Sequence, residues 1–276
     1  MNITLINDIN APELFSFVRA TEPQLREQGI FLAETASVIL RALEAGYEPL
    51  SMLVETGRMD VEAGPVFKAV EKYCGREKLE SMPVYSAPRE TVTGIIGYHL
   101  VRGLWMTLKR KPETPTEKFC QGKKRIAVMY DVVNPANVGA IFRSAAALGM
   151  DGVLLTHPSV DPLTRRVSRV SMGTVFQIPW AKATREESEG LTLVKRLQSL
   201  GFKTVAMALT EDSVSVDNSD IRANGKLAVM LGTEGTGLPK EVIAASDYRV
   251  MIPMYHGVDS LNVAAASAIS FWELLK

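Results

Sequence analysis

Three polar stretches of this chain carry side chains suited to chemistry. Residues 131–143 read DVVNPANVGAIFR and hold Asn134, Asn137, Gly139 and Arg143. Residues 232–239 read GTEGTGLP and set Glu234 among Gly232, Gly235 and Gly237. Residues 255–266 read YHGVDSLNVAAA and contain Ser260 and Asn262. Amides, a carboxylate, a hydroxyl and a planar guanidinium can orient a polar substrate and stabilise charge that develops on it. Each group also has a plainer reading. Asn137 or Ser260 could cap a helix, Arg143 could be a solvated helix charge, and the glycines could serve turns alone.

The cofactor classes narrow quickly. GTEGTG has the order G-x-x-G-x-G, the reverse of the dinucleotide pattern, and lacks the Gly-Lys-Ser/Thr ending of a phosphate loop, so a phosphate-bearing cofactor is disfavoured. Cys74 and Cys120 stand far apart, and His99, His157 and His256 are scattered, so no metal site is expected.

The elements that must position these groups are apolar runs followed by helical spacing. RIAVMY precedes the first polar stretch, KLAVML the second and YRVMIPM the third, with further strands expected at GVLLTHP and FKTVAMAL. Helices are expected over 136–148, 186–200 and the C-terminal SLNVAAASAISFWELLK. Mostly apolar strands alternating with helices predict an α/β domain with a parallel sheet covered on both faces. In such sheets ligands sit in loops at the carboxyl ends of strands, so the three polar stretches should line one pocket.

Towards the N-terminus, Val38, Ile39, Ala42 and Leu43 form a helical stripe ending at Gly46. PLSMLVE, MPVYSA and GLWMTLK read as strands and GPVFKAVEKYCGREK as a helix, which predicts a small α/β module. Between the two regions lies LKRKPETPTEKFCQGKKR, with Pro112, Pro115 and a run of basic charge. It reads as a linker, and equally as a stripe for RNA phosphates. The expected division is a module at 1–108, a basic linker at 109–122 and a catalytic domain at 123–276.

The chain of 276 residues is 46% apolar, enough for a substantial core, and balances 31 basic against 31 acidic residues. That balance excludes a uniformly basic surface but leaves room for a local nucleic-acid patch. No secretory signal opens the sequence and no run approaches the ~18 apolar residues of a membrane span. A soluble, cytoplasmic protein with reduced thiols is expected.

In this order the three stretches resemble the motifs of the SpoU (TrmH-like) branch of the SPOUT RNA methyltransferases. The likeness rests on NPANVGAIFR, LGTEGTGLP and MIPMYHGVDSLNVAAASA, with VDPLTRRVSRVSMGTVFQIPW as the connection, in which Arg169, Ser171 and Gly173 stand at typical places. It extends from about Arg125 to the C-terminus. One departure is Ala136, where the family often has glycine, so that turn should be stiffer. The N-terminal module is similar to the RNA-binding module, itself like a ribosomal large-subunit protein, that many members carry. The resemblance implies transfer of a methyl group from S-adenosylmethionine to a ribose 2′-hydroxyl, in ribosomal RNA or alternatively transfer RNA. It also implies a trefoil knot and a homodimer. A catalytic set of Arg143, Asn137, Glu234, Ser260 and Asn262 is implied, with Arg143 orienting or deprotonating the hydroxyl. Cofactor contacts are implied at Gly232, Ile252 and Leu261, with Leu209, Glu234 and Met254 as neighbours. The rival from another class is a non-catalytic RNA-binding protein that kept the fold.

Overall fold

Apolar runs separated by glycine-marked turns build two sheets in the computed structural model, which describes residues 2–96 and 103–276. His99 lies outside the described residues. The chain divides into two compact units, Met1–Pro112 with Leu163–Phe176, and Glu113–Pro162 with Gln177–Lys276.

The first unit holds a mixed sheet of β1 (Asn2–Leu5), β2 (Ile30–Glu34), β3 (Pro49–Glu55), β4 (Pro83–Ala87) and β5 (Leu104–Lys109), in the order β1-β4-β3-β5-β2. β5 runs antiparallel to both β3 and β2. Helix α1 (Ala36–Glu44) buries the expected stripe Val38, Ile39, Ala42 and Leu43. It stops where Gly46 takes φ +76°, the left-handed turn glycine adopts freely. α2 (Gly64–Cys74) follows β3. Leu14, Phe17, Leu25, Leu32, Leu53 and Trp105 form a core against one sheet face. β1 and β2 were not anticipated, because one is four residues long and the other runs straight into a helical pattern.

Residues Leu163–Phe176, expected in the catalytic domain, group with this first unit. Apolar stacking explains the correction. Phe176 lies against Phe31 at a ring separation of 5.7 Å and meets Tyr47 edge-on at 5.3 Å. Arg165 pairs with Glu22 at 3.2 Å and Arg169 with Glu34 at 3.2 Å. Arg41 donates to the carbonyl of Met172. Gly173, at φ +80°, approaches so closely that a Cβ would stand 3.3 Å from Val38 Cα.

The expected linker at 109–122 also needs correcting. Its second half is helix α3 (Thr116–Cys120), whose Phe119 and Cys120 are buried in the core of the second unit. Burial pushes the Cys120 thiol up to about 11, so it is an inert packing group. Several of the basic residues have structural partners. Lys111 donates to the Ala45 carbonyl and lies 4.6 Å from the Tyr47 ring centre, Lys123 lies 4.9 Å from that of Phe119, and Arg125 donates to the Arg222 carbonyl at 3.1 Å.

The second unit carries a seven-stranded sheet that runs, edge to edge, Val214–Ser215, Tyr248–Met251, Lys203–Met207, Leu227–Leu231, Arg125–Met129, Gly152–Leu155 and Trp180–Lys182. Its strands are β6 (Arg125–Met129), β7 (Gly152–Leu155), β8 (Trp180–Lys182), β9 (Lys203–Met207), β10 (Val214–Ser215), β11 (Leu227–Leu231) and β12 (Tyr248–Met251). Every pairing is parallel. α4 (Pro135–Ala147) and α7 (Val263–Leu275) pack on each other. The opposite face is covered by α3, α5 (Thr192–Ser199) and α6 (Lys240–Ala245) over Ile126, Val128, Ala228 and Met230. The single helix expected over 186–200 is interrupted, since Gly190 takes φ +53° between Arg185–Ser188 and α5.

Candidate active site

Parallel pairing brings the loops after β6, β9, β11 and β12 out on the same sheet edge. After β6 the chain turns sharply, with Asp131 at φ +54°. Thr156 holds that turn, accepting from the Asp131 amide at 2.9 Å and donating to its carboxylate at 2.8 Å. Asn134 then caps α4 by accepting from the Ala136 amide at 2.9 Å, and Pro135 occupies the first turn.

With the cap supplied by Asn134, the buried Asn137 has another task. Its Nδ2 donates to Oε1 of Glu234 at 2.5 Å. Asn262 caps α7 through its Oδ1, which accepts from the Ala264 amide at 2.9 Å. Its Nδ2 donates to the same Glu234 oxygen at 2.8 Å and to Asn137 Oδ1 at 3.2 Å. Two amides and one carboxylate therefore fasten the first, second and third polar loops together.

The second loop owes its shape to glycine. A Cβ on Gly232 would stand 2.2 Å from the Gly237 carbonyl carbon and 2.3 Å from the Leu238 nitrogen. The clash is with the loop's own backbone, so Gly232 is needed before any ligand is considered. Gly235 and Gly237 adopt φ +88° and +68°, and the Gly237 amide closes the turn on the Thr233 carbonyl at 3.0 Å.

A cavity of about 490 Å³ opens at this edge, in the size range of a nucleoside-sized ligand. The six residues expected at a cofactor, Leu209, Gly232, Glu234, Ile252, Met254 and Leu261, all line it. Ser260 and Asn262 line it too. Arg143 does not: it is exposed on α4, six residues beyond Asn137. Sequence reasoning missed Met207 and Asp259, which also line the cavity. Ser260 donates to Asp259 at 3.2 Å rather than capping α7. Asp259 was legible only as an acid preceding Ser-Leu-Asn. The loop carrying Leu209 is fastened by Arg249, whose Nε lies 2.7 Å from Asp212. A hydrogen bond from Thr210, with help from Arg249, holds the Asp212 carboxyl below its usual range.

Chemically, the cavity offers apolar walls, backbone groups and two carboxylates. Among the described residues no group of acids, histidines and cysteines could hold a metal ion.

The SpoU rRNA Methylase family model matches residues 124–272, so the chain belongs to that family, whose members methylate RNA. It is 33% identical to an "Uncharacterized tRNA/rRNA methyltransferase" of Mycobacterium tuberculosis over 89% of this chain and 81% of the relative. Among solved structures it resembles an AdoMet-bound rRNA methyltransferase from Sinorhizobium meliloti, with TM-score 0.80 and 23% identity over 99% of this chain and 97% of the other. It also resembles the SpoU methyltransferase AviRb from Streptomyces viridochromogenes in complex with AdoMet, with TM-score 0.72 and 21% identity over 96% and 97%. These two structures share the fold: α/β, with a parallel sheet and flanking helices.

Proposed function

We propose that the chain transfers a methyl group from S-adenosylmethionine to a ribose 2′-hydroxyl of RNA, ribosomal RNA being the favoured substrate. The observation that carries this reading is the joining of three loops by Asn137, Glu234 and Asn262 beside a cavity that, among the described residues, is lined by carboxylates and by no cationic side chain. A phosphate-bearing ligand would meet repulsion there, whereas a sulfonium would not. The relatives' names, which speak of transfer and ribosomal RNA, support the substrate class.

The bound donor supplies an activated methyl group. The residues of the chain have the remaining work: to align the incoming oxygen with the methyl and to handle one proton. Gly232, Ile252 and Leu261 offer backbone groups to the donor. Asn137 and Asn262 keep Glu234, and with it the glycine loop, in place. Arg143, exposed on α4, holds the ribose or an adjoining phosphate with its fork of donors. Arg143 would orient the 2′-hydroxyl or take its proton, with an adjoining RNA phosphate on the proton's path, as the donor's methyl group passes to the oxygen.

The same reading extends to assembly. A trefoil knot in the second unit, an RNA-binding role for the first and a homodimer follow from the family resemblance. Trp272, 60% exposed, and Ile269, 40% exposed, support a dimer contact along α7.

The test is direct. The 276-residue chain with isotope-labelled S-adenosylmethionine and unmodified ribosomal or transfer RNA should yield alkali-resistant, 2′-O-methylated dinucleotides from the ribosomal RNA. Label on a base, or none on either RNA, would overturn the proposal.

A further inference from the structure

Among the described residues lining the cavity, Glu234 and Asp259 are the ionisable side chains, and no lysine, arginine or histidine stands with them in its wall. The hydrogen bonds that Glu234 receives come from the neutral amides of Asn137 and Asn262. Asp259 receives one from the neutral hydroxyl of Ser260 at 3.2 Å. Neutral donors occupy lone pairs but leave the pocket's net charge in place. Much of the remaining wall is apolar, including Met207, Val250 and Ile252, so the field of these carboxylates is less screened than at open surface.

The two acids have different duties. Glu234 is committed to joining three loops, and its bonds would be broken by any move toward a ligand. Asp259 is exposed and lines the cavity, and among the described residues its side chain accepts from its neighbour's hydroxyl alone, so it is the acid able to answer a ligand's charge.

On the methyl-donor reading, the ligand changes charge during turnover. S-adenosylmethionine carries a sulfonium and an ammonium against one carboxylate. When the methyl group leaves, sulfur regains the electron pair of the broken carbon–sulfur bond and becomes a neutral thioether, so the ligand's net positive charge is lost. We infer that Asp259 is the residue by which this cavity reads that charge, favouring the methylated donor over the demethylated product and so promoting product release. A unit charge at ~6 Å from a carboxylate, in surroundings between water and protein interior, corresponds to roughly a three- to thirtyfold preference. Exposed charges are screened by salt, so the preference should shrink as ionic strength rises.

The experiment is calorimetric titration of the whole 276-residue chain and its Asp259→Asn and Asp259→Glu variants, at low and high salt. Three ligands are used: S-adenosylmethionine, S-adenosylhomocysteine, and sinefungin, which carries an ammonium in place of the sulfonium. The native protein should favour both charged ligands over the neutral one, more so at low salt. Asp259→Asn should bring the three affinities within about twofold of one another, and Asp259→Glu should restore the spread. If all three bind and their ratios are the same in Asp259→Asn, or if the native ratios ignore salt, the inference is overturned while the donor reading stands. If none binds the native protein, the donor reading falls and the inference with it.

Discussion

Asn262 donates to the side-chain oxygen of Asn137 at 3.2 Å, across 125 residues of chain. Asn262 also caps α7, so its two ends can be tested separately. Asn262→Asp keeps an oxygen for the cap but sets a second carboxylate against Glu234. Helix content should be preserved by circular dichroism, while affinity for the neutral S-adenosylhomocysteine falls at least ~10-fold as repulsion from Glu234 and loss of the amide donor open the junction. Native affinity in this variant would mean that the three-loop junction does not shape the cavity.

Arg143 separates binding from chemistry. It does not line the cavity, so Arg143→Ala should leave folding and donor affinity nearly intact. Single-turnover methyl transfer should fall at least ~100-fold, the usual scale for a positioned electrostatic or proton-handling group. Arg143→Lys should recover little, because a point charge lacks the planar fork. Near-normal turnover in Arg143→Ala would make it an ordinary surface charge.

Gly232→Ala should be costly for a purely steric reason. The new Cβ would meet backbone at 2.2 and 2.3 Å, with no flexible side-chain end to give way. A loss of ~1–3 kcal/mol in unfolding free energy, accompanied by loss of donor binding, is expected. Gly225→Ala is the control: that glycine is exposed, with nothing within 4 Å of a Cβ, and should behave as native in denaturant titration.

Tyr130 directly follows β6, with its hydroxyl buried and without a hydrogen-bond partner among the described residues. Burial raises the hydroxyl's pKa well above the usual tyrosine value. Removing that oxygen removes a desolvation cost while keeping the ring. Tyr130→Phe should therefore match or exceed native stability, by up to ~1–2 kcal/mol, in chemical denaturation. A clear loss of stability would reveal a partner such as a bound water.

Asp247 predicts acid sensitivity. Burial pushes its carboxyl up, but hydrogen bonds from Lys203, Thr204 and Gln198 outweigh that and bring it to about 2, against an ordinary 3.8. A depressed carboxyl contributes fully above about pH 4 and loses its contribution as pH falls from 4 towards 2. Asp247→Asn should cost ~1–2 kcal/mol at pH 7, with the gap to the native protein closing near pH 2. A gap that is constant with pH would assign the loss to geometry instead of charge.

The second unit was largely legible because its central strands are mostly apolar and each is followed by a polar loop. RIAVM, KTVAM and LAVML could hardly be placed anywhere but inside a covered parallel sheet. That Leu209, Gly232, Glu234, Ile252, Met254 and Leu261 line one cavity was readable for the same reason, since it follows from which loops share an edge. Side-chain partners were not readable. Asn134 and Asn137 are both plausible caps in sequence, and only the turn at Asp131 decides that Asn134 takes the role. The short edge strands β8 and β10 have too few residues to show a period. The reach of Leu163–Phe176 into the first unit depends on Phe31, Tyr47 and Phe176 meeting across more than a hundred residues, which local spacing does not record.

That reach has an evolutionary consequence. The backbone passes from first unit to second, back again at Leu163–Phe176, and returns, so the N-terminal unit is not a bead that recombination could simply exchange. A cut at residue 112 would strand Val167, Val175 and Phe176 without the surfaces that bury them. The two pieces are expected to have drifted together, with Glu22, Glu34 and Arg41 tracking Arg165, Arg169 and the turn at Met172.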